Sequence, residues 1–126
     1  MKPFDILTTT RDALATVPGV TTCRIGLEAN MTPADYPMVR VVPSRTAYGA
    51  VIGARRVEAL IYFGKPVHEF TAGLEAEYQA LLTMEGDLLA KLGSMSGVSC
   101  EYVETILDED RVDAYKLMAL RVNLEA

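Results

Sequence analysis

A long helix with an apolar stripe, spanning Thr71 to Leu92, is the sequence feature that most constrains the fold. Its apolar side chains recur at spacings of three and four, the period of one helix face: Leu74, Tyr78, Leu81, Leu82, Met84, Leu88, Leu89 and Leu92. Polar residues such as Glu77 and Lys91 fall largely on the other side. Thr71 is the expected N-cap, and Gly93 the expected left-handed end. At about 30 Å the helix is too polar on one side to be wholly buried, so it requires a sheet to lie on.

The segments on either side of this helix supply that sheet. Five of them are predicted as strands from their alternation and bounding turns: Thr22–Glu28, Met38–Val42, Ala54–Phe63, Val98–Leu107 and Tyr115–Leu124. A first helix is expected over Pro3–Val17, because proline suits the first helical position. The order α-β-β-β-α-β-β predicts an α+β fold, with two helices packed on one face of a mostly antiparallel sheet. A length of 126 residues predicts a single domain, 1–126.

Two connections between strands carry most of the charge information. Pro43 is expected to end the second strand, and Ser44–Gly53 is then expected to be a long loop. Asp108, Glu109 and Asp110 are expected to form an acidic turn before the last strand.

Basic residues are concentrated in one part of the chain. The stretch from Tyr36 to Val57 contains four of the twelve basic residues and no acid. The rest of the chain therefore holds eight basic residues against seventeen acids, a net charge of −9 within an overall −5. This stretch is read either as an ordinary solvated strand face or as a contact surface with apolar residues at a loop tip. The interaction candidates on it are Arg40, Arg45, Tyr48, Val51, Arg55 and Arg56.

No pattern of reactive residues points to catalysis, a cofactor or a metal. His68 is the single histidine, and Gly93–Gly97 lacks the central serine of a nucleophile elbow. Asp108, Asp110 and Asp113 lack the glycine and distal glutamate of a calcium loop, so a solvated turn is the better interpretation. Cys23 and Cys100 are expected to be buried free thiols. The sequence therefore predicts a protein that is not an enzyme, with no cofactor and no metal.

Composition bounds the compartment and the kind of partner. The sequence begins without the basic and apolar segments of a secretory signal, and no apolar run approaches the roughly 20 residues that span a bilayer. A soluble, cytoplasmic protein without membrane contact is therefore expected. The mild negative charge argues against general nucleic-acid binding.

The order of elements resembles one family. A short first helix ending at Val17-Pro18-Gly19, a long basic hairpin loop, a helix from Leu74 and a closing strand Tyr115–Leu124 are similar to the tail terminator (tail-completion) proteins of long-tailed bacteriophages and prophages. The likeness covers nearly the whole chain as a layout and not as a motif.

The resemblance implies a structural role without catalysis. Members of that family form a ring, typically a homo-hexamer, on the end of the tail tube, which stops tube growth and presents a surface to the head-tail connector protein. It also implies assembly in the cytoplasm of a bacterial host, followed by residence in the virion tail. Arg40, Arg45, Arg55 and Arg56 would then face the tail tube protein or a neighbour's acidic residues, for which Asp108, Asp110 and Asp113 are the candidates.

Two other classes stay open on the residues alone. One is a small ligand-binding or regulatory α+β domain that uses the sheet face opposite the helices as a pocket wall. That face is expected to carry exposed apolar residues, namely Leu60, Tyr62, Tyr115 and Leu117. The other is an enzyme acting through carboxylates such as Glu58, Glu101 and Glu104. A cleft with convergent polar groups would favour either, and an open face with a protruding loop would favour assembly.

Overall fold

The computed structural model describes residues 1–28, 30–66, 73–112 and 115–126. Two helices and five strands follow one another in the described chain, with a short 3₁₀ turn at Pro33–Asp35: α1 (Pro3–Leu14), β1 (Thr22–Ile25), β2 (Met38–Tyr48), β3 (Arg55–Pro66), α2 (Leu74–Gly93), β4 (Ser99–Val112) and β5 (Tyr115–Glu125). The predicted α+β fold and the predicted order of its elements are confirmed.

The five strands form one sheet in the order β1-β2-β3-β5-β4. Three of the four neighbouring pairs are antiparallel, and only β1 and β2 run parallel, so the sheet is mostly antiparallel as predicted. β1 is short and covers β2 only from Met38 to Val41. The remainder of β2 therefore lies on one outer edge of the sheet, and β4 forms the other edge.

Both helices lie on the same face of the sheet, over one apolar core. Side chains of α1, α2 and the central strands are fully buried there, including Ile6, Leu14, Leu81, Leu88, Val57, Ile61, Leu120 and Leu124. The central strands alternate as expected, with every second side chain turned into this core. The two leucines at positions 81 and 88 thus lie on the sheet-facing stripe, as the periodicity predicts.

The boundaries of α2 differ from the predicted ones. The predicted N-cap Thr71 lies outside the described residues, and Gly73, with φ near +101°, occupies the N-cap position. Gly93 is the last helical residue and not a left-handed cap. Glu77, expected on the polar face, is 2% exposed. The spacing explains this, because position 77 is one helical turn before Leu81 and shares its face.

The stretch Ser44–Gly53 is not a long loop, and that prediction is wrong. β2 continues through Pro43 to Tyr48, and the turn is confined to residues 49–54. Proline is compatible with this strand because the β1 contacts have ended before it and its missing N–H falls on an open edge. A bulge between Pro43 and Arg45 shifts the register of the β2–β3 pairing at this point.

The prediction of an acidic turn at residues 108–110 is also wrong. The backbone of Asp108, Glu109 and Asp110 continues β4, which extends to Val112 and has a register shift between Ile106 and Asp110. The side chains at positions 108 and 110 are outside the described part of the chain, as is the whole of Asp113.

The second sheet face has a small apolar cluster of its own. Tyr36, Met38 and Leu117 are buried together there, with Met31 and Tyr62 packed against them. Leu117 was expected to be exposed, but the segment that leads into β2 covers it. Leu60 is half-buried, and the side chain of residue 115 is not described. The free apolar surface on this face is therefore smaller than the sequence suggests.

Candidate interaction site: a hairpin arm and an acidic edge strand

A hairpin arm, residues 43–56, lies at one end of the sheet, and because its β3 part also pairs with β5, only the turn 49–54 extends beyond the paired strands. It consists of the end of β2, a turn and the start of β3, and the strands pair from Arg45 with Glu58 to Tyr48 with Arg55. The side chains of Tyr48, Val51 and Ile52 at its tip are 82%, 69% and 103% exposed. Three large exposed apolar side chains within five residues of the chain are unusual for a free surface and typical of a contact site.

The turn at the tip has a defined structure. The Gly49 N–H donates to the Ala54 carbonyl at 2.8 Å, and the Ala50 N–H donates to the Glu125 carboxylate at 3.3 Å. A Cβ on Gly49 would lie 2.8 Å from both the Ala54 Cβ and the Glu125 Cδ, so only glycine fits without displacement. Gly53 has φ near +87°, which also favours glycine. The apolar tip is therefore held in place from the C-terminal strand.

The arginines of the arm are positioned by local contacts. The Arg55 guanidinium lies over the Tyr48 ring, 5.2 Å from its centroid, which is a cation–π geometry. Arg45 is mostly exposed and forms an ion pair with Glu58, and this hydrogen bond is the main cause of the lowered pKa of Glu58. Arg56 is half-buried beside them. The arm thus presents cationic groups next to an apolar tip.

Arg40 does not belong to this surface, and its predicted place on an exposed basic face is wrong. Its side chain is fully buried, and its Nε and Nη2 donate to the Glu28 carboxylate at 2.5 and 3.2 Å. Its Nη1 donates to the carbonyl oxygens of Thr22 at 3.2 Å and Val39 at 2.8 Å. The hydrogen bond from Arg40 is also the main cause of the lowered pKa of Glu28. Arg40 therefore fastens β1 and the following segment to β2.

The opposite edge of the sheet, β4, has the reverse charge. Its sequence holds five acids and one arginine between Ser99 and Val112. Glu104 accepts a hydrogen bond from Arg121 at 3.1 Å, and Glu101 accepts one from Asn123 at 3.4 Å. A row of paired residues crosses four strands from the basic edge to the acidic edge: Arg45, Glu58, Asn123 and Glu101.

β4 also carries apolar side chains that the sequence analysis did not select. Tyr102, Val103 and Leu107 are between 45% and 47% exposed. The signal in the sequence was the pair Tyr102-Val103, because two consecutive apolar residues on a strand cannot both face the core. A register shift between Tyr102 and Glu104 confirms that the strand is irregular at this point. Both edges thus combine charge with exposed apolar surface.

The structure does not bring the candidate carboxylates together in a cleft. Glu58 and Glu104 lie along an open sheet face, each with the partner described above. Glu101 lines a cavity of about 200 Å³ together with Arg56, Asn123 and Glu125. The groove between the C-terminal ends of α1 and α2 has a volume of about 380 Å³, and its charged side chains are Asp87 and Lys91. Among the described residues, no group of three or more histidine, cysteine, aspartate or glutamate side chains is placed to hold a metal ion.

Comparisons with known proteins add no assignment. No protein-family model matches the chain, and no curated protein matches it. No helix in the described part of the chain is both long enough and apolar enough to cross a membrane.

Proposed function

We propose that this protein is a structural subunit of a long-tailed bacteriophage or prophage, a tail terminator that caps the tail tube as a ring. The proposal rests on the resemblance in the order of elements. The observation that carries it furthest is the hairpin arm, residues 43–56, with its exposed apolar tip and its cationic base. In this role the protein has no catalytic residues, no cofactor and no metal.

The energetics of the arm favour a multivalent partner. Burying each of Tyr48, Val51 and Ile52 is worth about 1.5–3 kcal/mol, whereas association itself costs about 4–15 kcal/mol. One arm alone therefore supports only a weak contact. A ring whose copies engage a matching set of sites on a tube end overcomes this cost, because the later contacts form within one assembly.

The role defines the partners and the location. The ring is a homo-hexamer, the tail tube protein lies below it, and the head-tail connector protein joins it from above. Assembly takes place in the cytoplasm of the bacterial host, and the protein then remains in the virion tail. Neither a membrane nor a sequence-specific nucleic-acid site has a part in this function.

Two measurements test the proposal directly. Native mass spectrometry of the purified protein over a concentration series should reveal a species of six 13.7 kDa subunits, about 82 kDa, when the ring forms without the tube. Electron microscopy of polymerising tail tubes should show shorter tubes with capped ends when the protein is added. The tube assay decides the proposal, since a ring that depends on multivalent contacts forms most readily on the tube.

Matched substitutions separate the arm from general surface effects. Ile52→Ser removes the most exposed apolar side chain at the tip, while Leu82→Ser removes a 42% exposed apolar side chain on α2. Both variants should fold, and only Ile52→Ser should reduce capping. A wild type that neither caps tubes nor changes their length would overturn the proposal and favour a small ligand-binding or regulatory domain.

A further inference from the structure

Part of β2 is an open hydrogen-bonding edge. Arg55 and Ala126 exchange both main-chain hydrogen bonds, at 2.7 and 3.0 Å, so Arg55 turns its polar groups away from its β2 partner Tyr48. Tyr48 therefore directs its own N–H and C=O to the outer edge. Thr46 directs its main-chain groups the same way, because residues two apart on a strand have the same main-chain direction. β1 pairs with β2 only up to Val41, so among the described residues no strand lies beside this part of the edge.

The outer side of β4 is the second open edge. Ala126 turns its main-chain groups toward β3, and this direction alternates from residue to residue along β5. Arg121, five residues earlier, therefore turns its main-chain groups toward β4 and its partner Glu104. The next residue of β4, Thr105, therefore points its N–H and C=O outward. Tyr102, on the other side of the bulge, points outward for the same reason. β4 is the last strand of the sheet, so these groups have no neighbouring strand within the described chain.

The two edges are complementary in direction, charge and apolar surface. β2 and β4 run in opposite directions within the sheet, so a second copy added head to tail would place them antiparallel. The β2 edge belongs to an arm with three arginines and no acid, and β4 has five acids and one arginine. Exposed apolar side chains accompany both, at Tyr48 and Ile52 on one edge and at Tyr102 and Val103 on the other.

We propose that the open edge of β2 around Thr46 and Tyr48 pairs as an antiparallel strand with the outer edge of β4 in a second copy of this chain. The interface is heterologous, because it joins two different edges, and such contacts close into rings or extend into filaments. This inference rests on the proposed function for the choice of a second copy as the partner. It adds the pair of surfaces through which the copies join.

The same edges limit how far such pairing extends. Pro43 has no N–H to donate, and β1 occupies the edge before it, so the pairing is confined to residues 44–48. The bulges in β4 interrupt its edge in the same way. A contact this short does not lead to indefinite pairing between long flat strand edges. Its strength therefore depends on the side chains around it.

Complementation between two edge variants tests the pairing. Thr46→Pro removes an outward N–H from β2, and Thr105→Pro removes one from β4. Thr46→Val and Thr105→Val keep the N–H and the branched shape, so they are the matched controls. Each proline variant alone should lose self-association at concentrations where the wild type and both valine controls associate. Mixed one to one, the proline variants should form a dimer of about 27 kDa, twice 13.7 kDa, and nothing larger.

The complementation has a physical reason that only a heterologous interface provides. Each proline variant keeps the edge that the other has lost, so one intact interface forms and then no free edge remains. An interface that pairs like edges would give no dimer specific to the mixture. Circular dichroism and thermal unfolding of each variant establish that it is folded before mixing.

Cross-linking gives a second readout that needs no proline. Thr46→Cys and Thr105→Cys, mixed under mild oxidation, should form a disulfide-linked dimer in larger yield than either variant alone. The native thiols contribute little background, because burial raises the pKa of Cys23 and of Cys100 to about 11.

The outcomes separate this inference from the proposed function. A wild type that caps tail tubes, combined with no mixed dimer and no mixed cross-link, would overturn the edge pairing and leave the proposed function standing. A mixed dimer from a protein that does not cap tubes would support the edge pairing and refute the proposed function. A wild type that stays monomeric throughout, with no cross-link in the mixture, would overturn the pairing outright.

Discussion

Removing the charge of Glu28 should destabilise the protein, because Arg40 is buried against it. Arg40 has no exposed surface, whereas 31% of the Glu28 side-chain surface is accessible. Glu28→Gln keeps the shape of the side chain and one accepting oxygen, but it leaves a buried guanidinium without a counter-charge. The substitution therefore tests the ion pair and not the packing around it.

The expected cost follows from how deeply each partner is buried. Breaking a fully buried pair by removing one partner costs about 3–5 kcal/mol. Here the carboxylate is partly solvated, and Arg40 keeps its hydrogen bonds to the carbonyls of Thr22 and Val39. We therefore expect a loss of about 2–3 kcal/mol, which corresponds to a fall in Tm of about 8–12 °C for a domain of this size. Urea unfolding with a constant m value measures the loss directly.

The pH dependence has a definite sign. Hydrogen bonding from Arg40 lowers the pKa of Glu28 in the folded state below its ordinary value. The stabilisation is therefore fully present above the unfolded-state pKa, about 4.3, and is lost as the pH falls through the lower folded-state pKa. Wild-type stability should decline more steeply below about pH 4.3 than that of Glu28→Gln.

Two results would refute this account of the ion pair. One is a Glu28→Gln variant as stable as the wild type at neutral pH, and the other is an identical dependence on acid pH in both proteins. Arg40→Met combined with Glu28→Gln provides the control. The double variant should lose less than the sum of the single losses, because no uncompensated charge remains buried.

Three further outcomes follow from the packing. Leu81→Ala should lower the free energy of unfolding in urea by about 2–5 kcal/mol, because the Leu81 side chain is fully buried. The Leu82 side chain is 42% exposed, so Leu82→Ala should lower it by under about 1 kcal/mol, and equal losses would contradict the placement of α2. Gly86→Ala should raise Tm, gaining about 0.5–1 kcal/mol, because a Cβ there meets no atom within 4 Å inside a helix. Cys23 and Cys100 should alkylate slowly at pH 8 in the native protein and rapidly in denaturant, since burial raises the pKa of each thiol to about 11.

Periodicity predicts the parts of this fold whose two sides have different environments. The stripe of α2 and the alternation of β3 and β5 face one core, so the identity of each residue records the direction of its side chain. Glu77 is the exception, because its polarity predicts the solvent face whereas its position, one helical turn before Leu81, places it on the buried face. The geometry of the helix decides which face a residue occupies. The polarity of the residue affects only the free energy of placing it there.

Strand ends are harder to predict because their stability comes from pairing between distant segments. The continuation of β2 past Pro43 depends on β3 lying beside it and on β1 having already ended. The continuation of β4 through Asp108 depends in the same way on β5. Proline and clustered acids are rightly read as poor strand formers in isolation, but an edge strand with one open side tolerates both.

The arginines illustrate why a count of charges in a sequence overstates an exposed basic surface. Arg40 is buried and paired with Glu28, and Arg45 is paired with Glu58, so the stretch from Tyr36 to Val57 exposes less free positive charge than its sequence suggests. Exposed ion pairs contribute about 0–1 kcal/mol and are screened by salt, whereas each buried apolar side chain contributes about 1.5–3 kcal/mol. In the assembly that we propose, charge on the two edges therefore sets the orientation of the contact, and not its strength. The strength of any contact made by the arm has to come from Tyr48, Val51 and Ile52, together with the main-chain groups of an edge that the fold leaves open.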